Sequence, residues 1–550
     1  MDDFSAIMKT ALEHQHKGRL EEAEKIFRTV LEIEPFHADT LHRLGLIHHA
    51  QGKYKEAAEI IGKAIIQSPK VADYHSNLAA AQLATGHPKS ALSHASRAIE
   101  LEINLGEAHY NLGNALFALG KTDDAVRSFQ QAIDKDPTNN QFWSNYLFAL
   151  NFAPSASQEL VFEENRRWGV LLEQDKHILP FRNDWTSDRQ LRTAYYLPEL
   201  DRHVTTRFLD AMLEYHNRDE FEVTIYGYAQ DHSPAPKSLL TYIDAWIDIG
   251  QMNIDLVAEQ MRRDQIDILI HPCTFKARYR MLIAYNPAPV QIACINLVST
   301  TGLRNTTHLV TDSFLTPPGK SEDYYTENLI RLSGLNVYRK PMAAPDVSPL
   351  PANHNGFVVF GSLNNPAKLT PECISLWTQI LQQVPSSRLL LKHQSFESTE
   401  ICESFATHFK KAGISKERLI FRGYSLDGSE YLCTYNQIDI ALDPLPFGGG
   451  TTTYESIWMG VPVITMVGDG IMGRLTGSMM TRLGYADFVT TSPEAYVSVA
   501  KEFAFDLAKL SKIRHNLRES ASKSIFDGQQ YVRELEGACR EIWINHCENV

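Results

Sequence analysis

Residues 443–460 read DPLPFGGGTTTYESIWMG. The apolar run IDIALD ends at Asp443, three glycines follow, and three threonines open a helical pattern. This strand, loop and helix start form an anion-binding design. Gly449 and Gly450 let backbone N–H groups approach a diphosphate, and the helix N-terminus contributes roughly half a positive charge. The hydroxyls of Thr451 and Thr452 are expected to cap the helix while offering further donors. Glu455 falls about one turn into the helix, where a carboxylate can accept bonds from ribose hydroxyls. Glycines also serve plain turns. What adds weight is their position at the C-terminal end of a strand, where open α/β sheets bind ligands.

Reading outward, FVVFGS, RLLLK, RLIFRG, IDIALD and PVITM recur at α/β spacing from Phe357 onward, with helices such as Pro371 to Gln383 between them. A similar alternation precedes them. LRTAYYL begins at Leu191, EVTIYGY at Glu222, IDILIH at Ile266 and PVQIACIN at Pro289. Short β-branched and aromatic runs separated by helical stretches predict two doubly wound α/β halves. A closing amphipathic helix is predicted over Tyr531 to His546, with Leu535, Cys539, Ile542 and Trp543 on one side.

The N-terminal part is different in kind. Gly18, Gly52, Gly86 and Gly120 recur at one fixed spacing, and so do Ala23, Ala57, Ala91 and Ala125. Leu44, Leu78 and Leu112 follow, then Ala64, Ala98 and Ala132, while Pro35, Pro69 and Pro137 mark unit ends with Ile103 as the departure. Each unit reads as helix, turn, helix, stop, with small residues letting the helices approach and proline ending the second. The pattern resembles the tetratricopeptide repeat and covers roughly residues 5 to 150, with a partial unit beginning at Phe142 as its expected cap. One register carries Arg43, Asn77, Asn111 and Asn145. Amides there can grip an extended peptide backbone, since they donate and accept at once, or they can tie adjacent helices together. The sequence leaves both readings open.

The organisation expected is therefore α-solenoid plus α/β: repeats over 1–150, a connection over 151–190, a first Rossmann-like half over 191–345 and a second over 346–550 that includes the closing helix. At 550 residues the chain is too long for one core. A net charge of -13 disfavours nucleic acid as the main partner. Seven scattered cysteines without a C-x-x-C pair fit neither a disulfide framework nor a structural zinc site. No export signal or apolar membrane span is read, so a reducing cytoplasm is the expected compartment.

The run DPLPFGGGTTTYESIWMGVPVITMVGDGIMGRLTGSMMTRLG, with PEAYVSVAKEFAFDLAKLSKIRHNLRE after it, resembles the catalytic core of the O-linked N-acetylglucosamine transferase family, in particular its SPINDLY-like branch. RNDWTSDRQLRTAYYLPELDRHVTTRFLDAMLEYHNRDEFEVTIYGY and NPAPVQIACINLVSTTG extend the resemblance into the first half. It implies a GT-B pair of Rossmann-like domains, an inverting transfer to Ser or Thr of a protein, no metal and no cofactor beyond the nucleotide-sugar co-substrate. UDP-N-acetylglucosamine is the family default. By the same resemblance, His203 in LPELDRH falls on the active-site histidine and Lys368 in LNNPAKL on the lysine near the donor diphosphate. Asn365 falls on the amide position beside that lysine, and Arg474 on a recurrent arginine expected to brace its loop. A departing nucleoside diphosphate gathers negative charge, so without a metal a lysine and backbone donors must stabilise it. No D-x-D pair stands at a strand end, Asp439 and Asp443 being four apart.

The departures from the family pattern fall on donor and acceptor positions. Gly450 replaces a frequent histidine, Gly428 and Tyr431 replace base-contacting lysine and histidine, and HPCTFKARYR and Leu297 to Thr300 replace glycine-rich turns. The donor sugar and base therefore stay open. So do three functions: transfer of N-acetylglucosamine, transfer of another sugar to one dedicated surface or flagellar protein, and an inactive repeat scaffold. The partners expected are a protein acceptor on the repeats and a nucleotide sugar. Pairing with a second copy of the chain is open too. A dinucleotide oxidoreductase is disfavoured, because no G-x-G-x-x-G follows the first strand of either half.

Overall fold

The structure, a computed structural model, describes residues 2–174, 176, 180–198, 204–228, 237–272, 275–295, 298–341, 343–425 and 427–549. The chain separates into two compact units, Met1–Ala153 and Pro154–Val550. No helix among the described residues is long and apolar enough to cross a membrane.

The first unit is a series of helix pairs: Asp2–His16 with Leu20–Ile33, Ala38–Ala50 with Tyr54–Gln67, Ala72–Ala84 with Pro88–Leu101, and Gly106–Ala118 with Thr122–Lys135, followed by Asn140–Leu150. The glycine ladder does a different job from the one expected. Gly18, Gly52, Gly86 and Gly120 have φ of +71°, +76°, +80° and +73°, and a Cβ on any of the first three would meet nothing within 4 Å. They are glycines because the turn inside each pair needs the left-handed region, not because helices approach there. Close approach belongs to Gly45 and Gly113. A Cβ on Gly113 would lie 2.7 Å from the Phe129 ring, and one on Gly45 would run into Ile61. The Ala23, Ala57, Ala91 and Ala125 side chains are fully buried, as the close-packing reading of that ladder requires.

A further register explains the missing proline. His75 Nε2 donates to Pro69 O at 3.1 Å, His109 Nε2 to Ile103 O at 2.9 Å, and Trp143 Nε1 to Pro137 O at 2.9 Å. What each repeat supplies at that point is a carbonyl, which isoleucine provides as well as proline does.

In the second unit the strands are β1 (Leu191–Leu197), β2 (Phe221–Gly227), β3 (Ala245–Asp248), β4 (Ile268–His271), β5 (Val290–Ala293), β6 (His308–Thr311) and β7 (Asn328–Arg331). Then come β8 (Val359–Ser362), β9 (Arg388–Lys392), β10 (Leu419–Arg422), β11 (Ile440–Leu442), β12 (Val463–Met466) and β13 (Val489–Thr490). Among the described residues they form a seven-stranded sheet, ordered β3-β2-β1-β4-β5-β6-β7, and a six-stranded one, ordered β10-β9-β8-β11-β12-β13. Their pairings are parallel, as helical crossovers dictate. Both sheets reverse direction of build, the first between β1 and β4, the second between β8 and β11, and such a switch point opens a crevice at the strands' C-terminal ends. Sequence patterning overlooked β3, β6, β7 and β13, which have two to four residues each, and β3 and β7 lie at the sheet edge with partly exposed side chains.

The closing helix runs from Gly528 to Glu548 and buries Leu535, Cys539 and Trp543. It belongs to the end of the chain but packs on the first sheet's side, against the Val204–Leu213 helix and β5. Glu536 Oε1 accepts from the Asn217 N–H at 2.9 Å and bonds His216 Nδ1 at 2.8 Å, while His216 Nε2 meets Tyr195 OH at 2.7 Å. The chain thus crosses back to fasten the two halves.

The glycines separate into testable classes. Gly62 is in a helix interior with open space around its missing Cβ, so Gly62→Ala is expected to raise stability by about 0.5–1 kcal/mol in urea unfolding. Gly113→Val, which drives atoms into Phe129, is expected to lower it by about 1–3 kcal/mol.

Candidate functional site

The crevice between β8 and β11 is where the predicted residues of the second half meet. β8 and β11 are in contact through Phe360 with Ile440 and Gly361 with Ala441, and a Cβ on Gly361 would strike Ile438. The chain leaving β8 brings Asn364, Asn365 and Lys368, and the chain leaving β11 brings Asp443 and the glycine loop. Asn364, Asn365, Lys368 and Gly450 line, with residues of the first half, a cleft of about 1000 Å³.

Asp443 organises the loop. Its carboxylate is buried, with Oδ1 accepting from the Gly449 N–H at 2.6 Å and Oδ2 from Thr465 Oγ1 at 2.8 Å. A Cβ on Gly448 would come within 2.8 Å of that carboxylate, and one on Gly449 would overlap Thr453 Oγ1. The first two glycines are thus demanded by close approach. Gly450 is not, since its nearest neighbour would be Leu475 Cδ2 at 3.7 Å.

This corrects the sequence-based picture of the donors. The Gly449 N–H is held by Asp443 and the Gly448 N–H by Met472 O, so neither is offered to a ligand. The N–H groups of Gly450, Thr451 and Thr452 have no protein acceptor among the described residues. Those three, at the start of the Thr451–Trp458 helix, are the open anion donors. Nor do the threonine hydroxyls cap the helix, whose N-cap is Gly450 without a side-chain bond. Thr452 Oγ1 instead donates to Asn364 Oδ1 at 3.1 Å, and Thr451 lines the cleft.

Lys368 is no solvated surface cation. Its Nζ donates to Gly448 O at 2.7 Å and Asn364 Oδ1 at 3.1 Å and lies 4.6 Å from the centre of the Phe447 ring. Burial pulls its ammonium down to about 8, against the opposing pull of Asp443. Burial pushes Asp443 up to about 6, against its hydrogen bonds and Lys368. The lysine is therefore aimed at the glycine loop, poorly hydrated and short of negative partners, which suits it to an incoming anion. Asn365 acts one step back: its side chain accepts from the Ala367 N–H at 3.0 Å and caps the turn that carries Lys368. Asn364, overlooked in the sequence, is the buried hub between Lys368 and Thr452. Its signal was the Asn-Asn pair just past a strand end.

Glu455 lines the same cleft but is already engaged. Its Oε1 accepts from Arg207 Nη1 at 2.6 Å and Tyr338 OH at 3.1 Å, and burial pushes the carboxyl up against the pull of Arg207. Tyr431, which stands where the family has a histidine, lies beside it and favours its carboxylate form, and Gly428 lies on the cleft wall. Arg474 donates from Nε to Phe314 O at 2.8 Å and from Nη1 to Gly468 O at 3.2 Å, a brace between the halves. Asp439 accepts from the Ala352 and Val359 N–H groups, both at 2.8 Å, which is a structural task.

His203 lies outside the described residues, as do Cys273 and Thr274 of HPCTFKARYR and Leu297. On the repeat unit, Asn111 is buried and donates to Ser76 O at 3.0 Å and Ser76 Oγ at 2.9 Å. Asn77 meets His42 Nε2 at 3.0 Å, and Asn145 donates to Tyr110 OH at 3.0 Å and Asn114 Oδ1 at 2.8 Å. In this structure all three amides tie neighbouring repeats, and Asn77 and Asn145 remain partly exposed.

The profile of Glycosyl transferase family 41 matches residues 170–335 and 349–535, and tetratricopeptide-repeat profiles match 15–81, 72–97 and 106–139. The chain is 32% identical over 422 residues to the probable UDP-N-acetylglucosamine–peptide N-acetylglucosaminyltransferase SPINDLY of Petunia hybrida, covering 75% of this chain and 45% of that one. To the SEC protein of Arabidopsis thaliana, which carries the same enzyme description, it is 28% identical over 375 residues, 65% of this chain and 38% of the relative. The chain spans less than half the length of these curated relatives. Among solved structures, a mutant of the O-GlcNAc transferase of Thermobaculum terrenum superposes with a TM-score of 0.80 at 30% identity, covering 99% of this chain and 98% of that one.

The charge state of Lys368 sets a pH dependence. The ammonium form is held below about 8 and lost above it, so calorimetric affinity of the free protein for an organic diphosphate is expected to weaken as pH rises through about 8. In Lys368→Met that alkaline limb should vanish and affinity at neutral pH should fall about 10- to 100-fold.

Proposed function

The chain belongs to glycosyl transferase family 41, and on that premise we propose that it moves a sugar from a nucleotide-sugar donor to a Ser or Thr hydroxyl of a protein, with inversion at the anomeric carbon. The observation that carries the reading is the convergence of Lys368 with the open N–H groups of Gly450, Thr451 and Thr452 at the β8/β11 switch point. A nucleoside diphosphate laid there meets a desolvated cation and a helix N-terminus. Both gain as the sugar bond breaks and charge builds on the leaving phosphate, so they stabilise the transition state more than the ground state.

In this mechanism Gly450 and Thr451 receive the diphosphate, Thr452 and Asn365 keep the loop and the Lys368 turn in register, and Glu455 receives the ribose. Asp443 holds the glycine loop without touching the donor. His203, by its place after β1, would accept the acceptor proton or orient the sugar, a contribution typically worth ~10²–10⁴ in rate. No metal and no further cofactor is assigned, because a lysine and backbone donors can carry the leaving-group charge. N-acetylglucosamine, the sugar in the printed descriptions of the plant relatives, is the donor we favour. The glycine at 450 and tyrosine at 431 keep a different sugar, given to a dedicated surface or flagellar protein, as the second reading. The repeats would hold the protein acceptor, through the exposed parts of Asn77 and Asn145 rather than through buried Asn111. Free Cys294, Cys373, Cys402, Cys433, Cys539 and Cys547 support a reducing, cytoplasmic setting.

Mass spectrometry of total protein from cells with the intact gene and with Lys368→Ala tests this. A hexose, N-acetylhexosamine, deoxyhexose or nonulosonate increment that disappears from one protein in the mutant is the expected result and names the sugar class. In vitro, the variant should transfer about 10²–10³-fold more slowly. Matching profiles, with the variant folded and expressed, would favour an inactive scaffold instead.

A further inference from the structure

Glu455 presents a physical problem to a diphosphate site. A carboxylate that is 3% exposed lines a cleft shaped for a dianion, and burial drives such a group toward its neutral form. The groups facing it are the phenols of Tyr338, Tyr431 and Tyr435 and one guanidinium, that of Arg207.

Arg207 comes from the other half. It sits in the first turns of the Val204–Leu213 helix, and its backbone is fixed where its carbonyl accepts from the Arg339 N–H at 2.9 Å. From there one nitrogen, Nη1, spans the cleft to Tyr338 OH at 2.7 Å and Glu455 Oε1 at 2.6 Å. The Tyr338 ring is itself stacked on Tyr454, one residue before Glu455, with centroids 5.2 Å apart. Oε1 thus accepts from both Arg207 and Tyr338, which leaves Oε2, beside the Tyr431 phenol, as the remaining acceptor for a ligand hydroxyl. Charge pairing also makes the carboxylate compatible with a neighbouring phosphate, because the pair presents no net charge.

We propose that Arg207 is a positioning residue for the donor nucleotide: it pairs with Glu455 Oε1 and turns the carboxylate so that Oε2 accepts from a ribose hydroxyl. This deepens the nucleotide-sugar reading above and rests on it. Arg207 acts through Glu455 and not on the phosphates, which separates it from Lys368.

The test is calorimetric titration of the full chain and of Arg207→Met with UDP, GDP, ADP and dTDP, beside inorganic pyrophosphate as a competitor that carries no ribose. For the nucleotide that the wild-type chain binds, the variant is expected to bind about tenfold more weakly, with pyrophosphate unchanged. The deficit should deepen as pH falls, since burial raises the carboxyl and, once unpaired, it takes up a proton more readily. Arg207→Lys, which keeps the charge, should recover part of the affinity and serves if the methionine variant does not fold. In Glu455→Gln the Arg207→Met change should cost little more. Equal nucleotide affinity in folded Arg207→Met and wild type would overturn the inference while leaving the enzyme reading intact. An equal loss for pyrophosphate would overturn it too, by showing direct phosphate contact. A wild-type chain that binds none of the four nucleotides would overturn both readings together.

Discussion

One buried carboxylate sets the geometry of the second half. Asp443 stands just past the end of β11, buried from solvent, and it is satisfied by the Gly449 N–H and the Thr465 hydroxyl. Because the charge is buried, the loop has to wrap it closely, and that is why Gly448 and Gly449 cannot carry side chains. Past the wrapped loop, the N–H groups of Gly450, Thr451 and Thr452 have no protein acceptor among the described residues, and these residues line the cleft. The cost of the buried charge is offset by Lys368, which approaches over Phe447 and grips the loop through Gly448 O. Lysine and aspartate each depart from their ordinary ionisation, in directions set by burial, and the lysine is left with spare capacity for an anion.

The cleft exists only because two sheets are held facing each other, and the fastenings are polar and specific. Arg474 reaches Phe314 O, Ser478 donates to Asp312 at 2.6 Å, and Arg207 meets Glu455 at 2.6 Å. The end of the chain returns to the first half, where Glu536 closes on His216 and Tyr531 OH donates to Leu335 O at 2.8 Å. Buried ion pairs and networks add little net stability over apolar packing, but they admit few alternative geometries. That trade suits the proposed transfer, which would require donor and acceptor to be held in close register.

The repeat unit shows how one periodic sequence can hide distinct physical demands. The glycine ladder at 18, 52, 86 and 120 answers a backbone torsion, the glycines at 45 and 113 answer a neighbour's bulk, and the proline register answers a need for a carbonyl. Periodicity alone announces all three in the same way. Only the neighbours of each missing Cβ tell them apart.

Pattern and motif fixed much of the architecture from the chain alone. The repeats, the strands that carry the site, the Pro371–Gln383 helix and the closing helix follow from side-chain periodicity, which is a local property. The glycine loop and Lys368 were legible for the same reason, being local signatures at strand ends. Edge strands β3 and β7 were not, because a four-residue strand with one wet face gains its stability from pairing and leaves a faint pattern. Nor could the sequence assign Asn364, Arg207 or Glu455 their partners, or take the Gly449 N–H away from the ligand. Asp443 is six residues from Gly449 and Arg207 is 248 residues from Glu455, and what each of them bonds depends on burial and distance that arise only when the halves pack.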